Sequence, residues 1–241
     1  MTWVGGLAMP LLDHFRPPIS ERRHWHSFHN SWATYLSSQL NALLPEGYFA
    51  EANVRFGVEI DVATFEEPGA RPPEAGWRPG PPLASLPVTM PGAVVEIGVF
   101  SRSGGPQLAG AIELVSPANK DRPAHRDALV SKCAAYVQAG VGLVLIDVVT
   151  DRAADLHRDL LKRLGSGDTG PGPPLSASAY RPVETAGTAA LEVWREALGV
   201  GRPLPTLPLW LRGGLCLPVE LEATYERTCS EQRVRPAAAP V

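Results

Sequence analysis

Residues 108–149 read LAGAIELVSPANKDRPAHRDALVSKCAAYVQAGVGLVLIDVV, and the alternation of patterns within this stretch decides the fold. Residues 108–115 form an apolar run, which predicts a strand with Ile112 and Leu114 on one face and Ala111, Glu113 and Val115 on the other. Ser116-Pro117-Ala118-Asn119-Lys120 closes that run. Pro123 then stands at a favoured first-turn position, and a helix is expected over 123–139, with Leu129, Cys133, Tyr136 and Val137 as its buried stripe and Gly140 as its cap. Residues 142–149 are continuously apolar up to Asp147, the signature of a strand buried on both faces and parallel to its neighbour. Strand, helix and strand in this order make a β-α-β unit.

Outward from this unit, SRSGGPQ supplies turn chemistry before the first strand, so a hairpin with a partner strand over 94–100 is expected. Residues 53–62 alternate strictly: Val54, Phe56, Val58, Ile60 and Val62 point one way, and Asn53, Arg55, Gly57, Glu59 and Asp61 the other. Residues 20–44 carry Trp25, Phe28, Trp32, Tyr35, Leu36, Leu40 and Leu43 at helical spacing. Beyond the unit, a second amphipathic helix is expected over 152–164, a strand over 175–183, a short helix over 188–198, and strands over 207–211 and 216–221. The whole predicts an α/β fold: a mixed sheet of five or more strands flanked by helices, in one domain over 1–241. Its core spans about 47–150, wrapped by the helix at 20–44 and by residues 151–241.

Composition bounds the function. The chain has 241 residues, 44% hydrophobic and 20% charged, with 23 glycines and 25 prolines gathered chiefly in 68–92, 165–174 and 203–208. The net charge of −3 argues against a large basic face for nucleic acid and leaves room for a small one. No apolar run approaches the roughly 18 residues of a membrane span, and the N-terminus lacks the basic region of a secretory signal. Three scattered cysteines make no disulfide framework, so the expected setting is the reducing cytoplasm.

The chemistry-bearing residues lie on the predicted sheet and the helix that follows it. Asp61 and Glu113 sit on strands, and an acid in an apolar strand costs desolvation unless it is partnered. Together they supply hard oxygen ligands for Mg²⁺ or Mn²⁺, while Lys132 on the helix or Lys120 in the loop assists an activated water. Arg126, Asn119 and Arg55 are the candidates for substrate phosphate contacts. Glu113, Asp61, Arg126 and Lys132 also fit a buried salt-bridge cluster without catalysis. His24, His26 and His29 in RHWHSFH read as surface or interface histidines, and His125 and His157 as solvated ones. Cys133 reads as a core residue, and Trp77 and Trp210 as exposed aromatics in proline-rich loops.

These residues resemble a known family. Leu44-Pro-Glu-Gly-Tyr48, the EIDVATFE segment around Asp61, AIELVSPANKDRPAHR and KCAAYVQAGVGLVLIDVV, with WHSFHNSW, PLPTLPLWL and ELEATYE, are similar to the bacterial domain-of-unknown-function family 4058. The order of strand Asp, strand Glu, helix Lys-x-x-x-Tyr and apolar strand ending in Asp also resembles the Uma-two-like endonuclease-like proteins of the PD-(D/E)XK fold. That resemblance implies a restriction-endonuclease-like core over about 47–150, with Asp61 and Glu113 as metal-binding acids and Lys132 as a helix-borne lysine paired with Tyr136. The chain departs from the nuclease pattern where Ile60 stands for the proline before the first acid and Val115 for the lysine of Glu-x-Lys. The resemblance implies either a metal-dependent nuclease acting on nucleic acid or a catalytically silent binding module on the same fold.

Overall fold

The alternating apolar segments assemble into one mixed seven-stranded sheet in a computed structural model, which describes residues 9–56, 58–71, 76–88, 105–167, 170–185 and 188–235. In chain order the elements are α1 (Trp25–Asn41), β1 (Tyr48–Phe56), β2 (Val58–Glu66), β3 (Ala84–Pro87), β4 (Gln107–Leu114), α2 (Pro117–Asp121), α3 (Pro123–Gln138), β5 (Gly142–Asp147), α4 (Leu156–Arg163), β6 (Ser176–Thr185), β7 (Thr188–Ala197), β8 (Thr206–Trp210), β9 (Cys216–Glu220) and α5 (Leu221–Glu231). The strand order is β1-β2-β4-β5-β6-β7-β3, and β8 and β9 form a separate two-stranded sheet.

The predicted β-α-β unit is present: β4 and β5 run parallel in register, with α3 as the crossover, and every residue of β5 is buried. β5 alternates its side chains between two apolar layers because helices cover both faces of the sheet. Val144 and Ile146 join Trp32, Leu36 and Leu40 of α1 and Tyr225 of α5, together with Leu207 and Leu209 of β8. Leu143 and Leu145 join Leu129, Cys133 and Tyr136 of α3 and Leu160 of α4. Cys133 is a core residue, as expected, and burial pushes its thiol far above the usual range.

Elsewhere the tertiary structure departs from the sequence pattern. The alternating stretch 53–62 is not one strand. It spans the end of β1 and the first half of β2, an antiparallel pair in which Phe56 meets Val58. Residues 188–198 are strand, not helix. β7 pairs with β6 along its full length and buries Leu191 and Val193 two residues apart, so pairing overrides the helix-favouring Ala, Leu and Glu of this segment. α1 is shorter than its apolar pattern at both ends, and the chain then turns at Gly47 (φ +85°), where a Cβ would lie 2.8 Å from Ala70, before β1 begins. The expected strand over 94–100 lies outside the described residues, and β4 is hydrogen-bonded by β2 on one side and β5 on the other. Trp210 is half-buried at the end of β8 under the Arg181 guanidinium, 3.7 Å from its ring centroid, while Trp77 is exposed. Among the described residues no helix is long and apolar enough to cross a membrane.

His157, expected in solvent, is buried and stacks on Tyr180, its Nδ1 2.7 Å from the phenol oxygen. His14 is buried among Trp25, Phe28 and Tyr225, its Nε2 2.7 Å from the Tyr225 hydroxyl. Burial presses the pKa of each down to about 4 from the ordinary 6.5. Between those values the unfolded chain takes up protons that the folded chain refuses, so stability is lost as pH falls from 6.5 towards 4. Each imidazole contributes on the order of 3 kcal/mol to that loss. Urea unfolding at stepped pH should show the midpoint dropping through this window, and His157→Gln should flatten the drop.

Candidate functional site

The site is created where β2 leaves β4. Their ladder runs to Val62↔Ile112 and no further. The Leu114 N–H, which loses its strand partner, donates instead to Asp61 Oδ2 at 2.7 Å. Opposite Asp61 on β1, Asn53 adopts a positive φ of 54°, a conformation that asparagine tolerates better than most residues. The strict alternation therefore breaks at Asp61. Val62 joins the apolar layer under α1, while Ile60, two residues away, joins the layer under α3. The strand thus delivers the Asp61 carboxylate to the opening between β2 and β4.

Glu113 lies on β4 and is 3% exposed. Lys132 of α3 meets its Oε2 at 2.6 Å, and the Tyr136 hydroxyl donates to Oε1 at 3.3 Å. Helical spacing explains the pair, since residues four apart lie on one face of α3. Burial raises the Glu113 pKa to about 7, and the neighbouring Asp61 charge adds to the rise against the pull of Lys132. Burial lowers the pKa of Lys132, but the charge of Glu113 and the hydrogen bond to it outweigh this and hold it above its ordinary value.

α1 closes the site from the other side. His29 Nε2 lies 3.3 Å from Asp61 Oδ1 and 3.1 Å from the Leu114 carbonyl oxygen. Because that carbonyl only accepts, Nε2 carries the hydrogen. Burial lowers the imidazole pKa, yet the hydrogen bond and charge of Asp61 outweigh it and the net shift is upward. Asp61, Glu113, Lys132 and Asn119 line one cavity of about 460 Å³, with Trp25, His26, His29 and Asn30 of α1 forming the facing wall.

Four of the seven candidate residues thus come together, two do not, and one lies outside the described residues. Lys120 is carried inward by α2 and pairs with Asp147 at 2.8 Å, with its side chain wholly buried at the end of β5. It is a structural ion pair and not part of the acid cavity. Arg126 lines a separate groove between α3 and α4, with Asp159 and Lys162. Six residues before Lys132, it stands about 120° away around the helix axis and one turn before Val130, beside α4 and away from the Asp61 cavity. The Arg55 side chain lies outside the described residues. Asn119 is placed at the cavity, but its Oδ1 accepts from the Ser116 N–H and hydroxyl, so it also holds the turn after β4.

His29 is the site residue that the sequence does not announce. The only signal is its position four residues after Trp25 on the edge of the aromatic stripe of α1. Its function depends on a strand opening distant in the chain. Among the described residues, no three His, Cys, Asp or Glu side chains gather so as to hold a metal ion. Asp61 and Glu113 are the two carboxylates of this lining, and each is already held by hydrogen-bonding partners, Asp61 by the Leu114 N–H and His29 and Glu113 by Lys132 and Tyr136. No protein-family model, curated protein or solved structure matches the chain.

The two buried ion pairs separate by mutation. Lys132→Met strands Glu113 without its counter-charge and should cost about 3–5 kcal/mol above pH 8. The loss should shrink on acidification, because a carboxyl with a raised pKa is stabilised as pH falls and it becomes protonated. Adding Glu113→Gln should recover most of the stability in thermal melts. Lys120→Met should destabilise the fold comparably and leave the Asp61 cavity unaltered, as read from the His29 ring proton shifts.

Proposed function

We propose that the chain is a divalent-metal-dependent phosphodiester hydrolase of the nuclease-like type, related to the PD-(D/E)XK proteins that its sequence resembles. What supports this is one observation: Asp61, Glu113 and Lys132, from β2, β4 and α3, line a single cavity. Asp61 and Glu113 would hold Mg²⁺ or Mn²⁺, which as a Lewis acid lowers the pKa of a bound water and neutralises charge on phosphorus oxygens.

The chain's own residues do the positioning. The Leu114 N–H and His29 fix the Asp61 carboxylate, and Lys132 with Tyr136 fixes that of Glu113. The Lys132 ammonium, partly exposed to the cavity, opposes the negative charge that grows on a phosphoryl group during attack. Lys132 reaches Glu113 from the helix, whereas Val115, at the lysine position of Glu-x-Lys, is buried in the layer under α3. The Asn119 amide nitrogen is left to donate to a phosphate oxygen, since its oxygen already serves the turn.

A second reading, a binding module without chemistry, is favoured by the pairing itself. Each carboxylate already faces an organic cation, His29 at Asp61 and Lys132 at Glu113. Such a set is self-neutralised and demands no further cation. Calorimetry with Mn²⁺ and a cleavage assay on DNA and RNA separate the two. The hydrolase should bind Mn²⁺ more tightly as pH rises through about 7, where Glu113 loses its proton. Asp61→Asn and Glu113→Gln should abolish binding and cut cleavage at least 100-fold. A folded wild type that binds no Mn²⁺ leaves the binding module, and equal residual cleavage in all three proteins marks a contaminant.

A further inference from the structure

The acid pair is recessed. Glu113 is 3% exposed, and the side chains of Asp61 and Lys132 are 13% and 20% exposed. The cavity above them, about 460 Å³, has the size of a small-molecule pocket. One wall is the turn after β4, fixed by the Asn119 bonds to Ser116. The facing wall is the start of α1, where Trp25 is clamped by the rings of Phe15, Phe28 and His29, so the mouth is built of packed parts and not of a loose loop.

Charge narrows the occupant further. Among the described residues the lining carries one ammonium, Lys132, and the imidazoles of His26 and His29, but no guanidinium. Arginines line other hollows: Arg126 and Arg163 lie between α3 and α4, and Arg181 and Arg212 lie beside Trp210. Neither hollow shares a residue with the acid cavity, Arg163 is committed to Asp127, and Arg181 is committed to Glu192. A duplex carries one negative charge per about 1.7 Å of axis, and its binding relies on a row of cations along the groove. Among the described residues the lining offers no such row, and the chain as a whole is at −3.

We infer that the acid cavity takes a small phosphodiester of dinucleotide size and not a double helix, an inference that rests on the hydrolase reading of the same cavity. In the reaction a water oxygen bonds to phosphorus as the ester P–O bond breaks. The leaving oxygen takes up a proton, the water's other proton passes to solvent, and a phosphomonoester and an alcohol are released with no change of oxidation state.

The test uses the Mn²⁺-loaded full chain with a linear dinucleotide, a 20-nucleotide single strand and a 20-base-pair duplex, each at 50 and 200 mM salt. The dinucleotide should be hydrolysed with a kcat/KM at least about tenfold above that per site of either polymer. That value should change less than about threefold between the two salts, whereas a ligand held by six or more phosphate contacts loses roughly 1,000-fold or more. Calorimetry adds a readout independent of turnover: a non-hydrolysable phosphonate dinucleotide should bind the Mn²⁺-loaded protein and outcompete the duplex. Preference for the duplex, a steep salt dependence, or no binding of the phosphonate to metal-loaded protein overturns the inference and leaves the metal site standing. Absence of Mn²⁺ binding removes the hydrolase reading and this inference with it.

Discussion

A backbone N–H that loses its strand partner inside a protein must find another acceptor, because leaving it unpaired costs about as much as the lost bond and its desolvation together. Here that donor is Leu114, and the acceptor is the Asp61 carboxylate. The substitution lets β2 part from β4 while β4 stays bonded to β5, and the gap becomes the cavity. Everything else at the site follows from that parting. Glu113 sits one residue before the orphaned N–H, His29 bridges the Leu114 carbonyl and Asp61, and Asn119 holds the turn that carries the chain away.

Two buried lysine–carboxylate pairs mark the ends of adjacent parallel strands, and they differ in what surrounds them. Lys120 and Asp147 are enclosed, with Asp147 also accepting from the Val149 N–H and the ammonium 3.5 Å from the Val149 carbonyl. Their bonds are spent on holding α2 against the end of β5. Lys132 and Glu113 open instead onto a cavity shared with a second carboxylate. The Asp61 charge adds to the rise that burial causes in the Glu113 pKa.

Much of the fold is legible in the sequence because short-range periodicity encodes it. The β4-α3-β5 unit, α1 and the strand β6 follow from apolar spacing, from Pro123 and from the positive-φ Gly140 past the end of α3. The misread elements are those in which pairing overrides local pattern. Residues 188–198 have the composition of a helix and lie in β7, and the alternation of 53–62 conceals a reversal between β1 and β2. For the site, Asp61, Glu113 and Lys132 were legible as charged residues in apolar settings. Lys120 was legible as unusual, but its spacing does not tell which carboxylate it meets. Arg126 shows that closeness to a stripe on a helical wheel does not guarantee reach.

The sequence by itself determined the layered α/β class and that two acids in apolar strands would need partners, because burial of a charge in an apolar element carries a cost that spacing alone exposes. Only the tertiary structure decided which lysine meets which acid. It alone decided, too, that α1 brings His29 over Asp61 and that, among the described residues, Lys132 and the imidazoles of His26 and His29 are the basic groups lining the resulting hollow. These outcomes depend on where β2 leaves the sheet and on how α1 lies across it. Both are set by contacts between residues far apart in the chain, which no local pattern records.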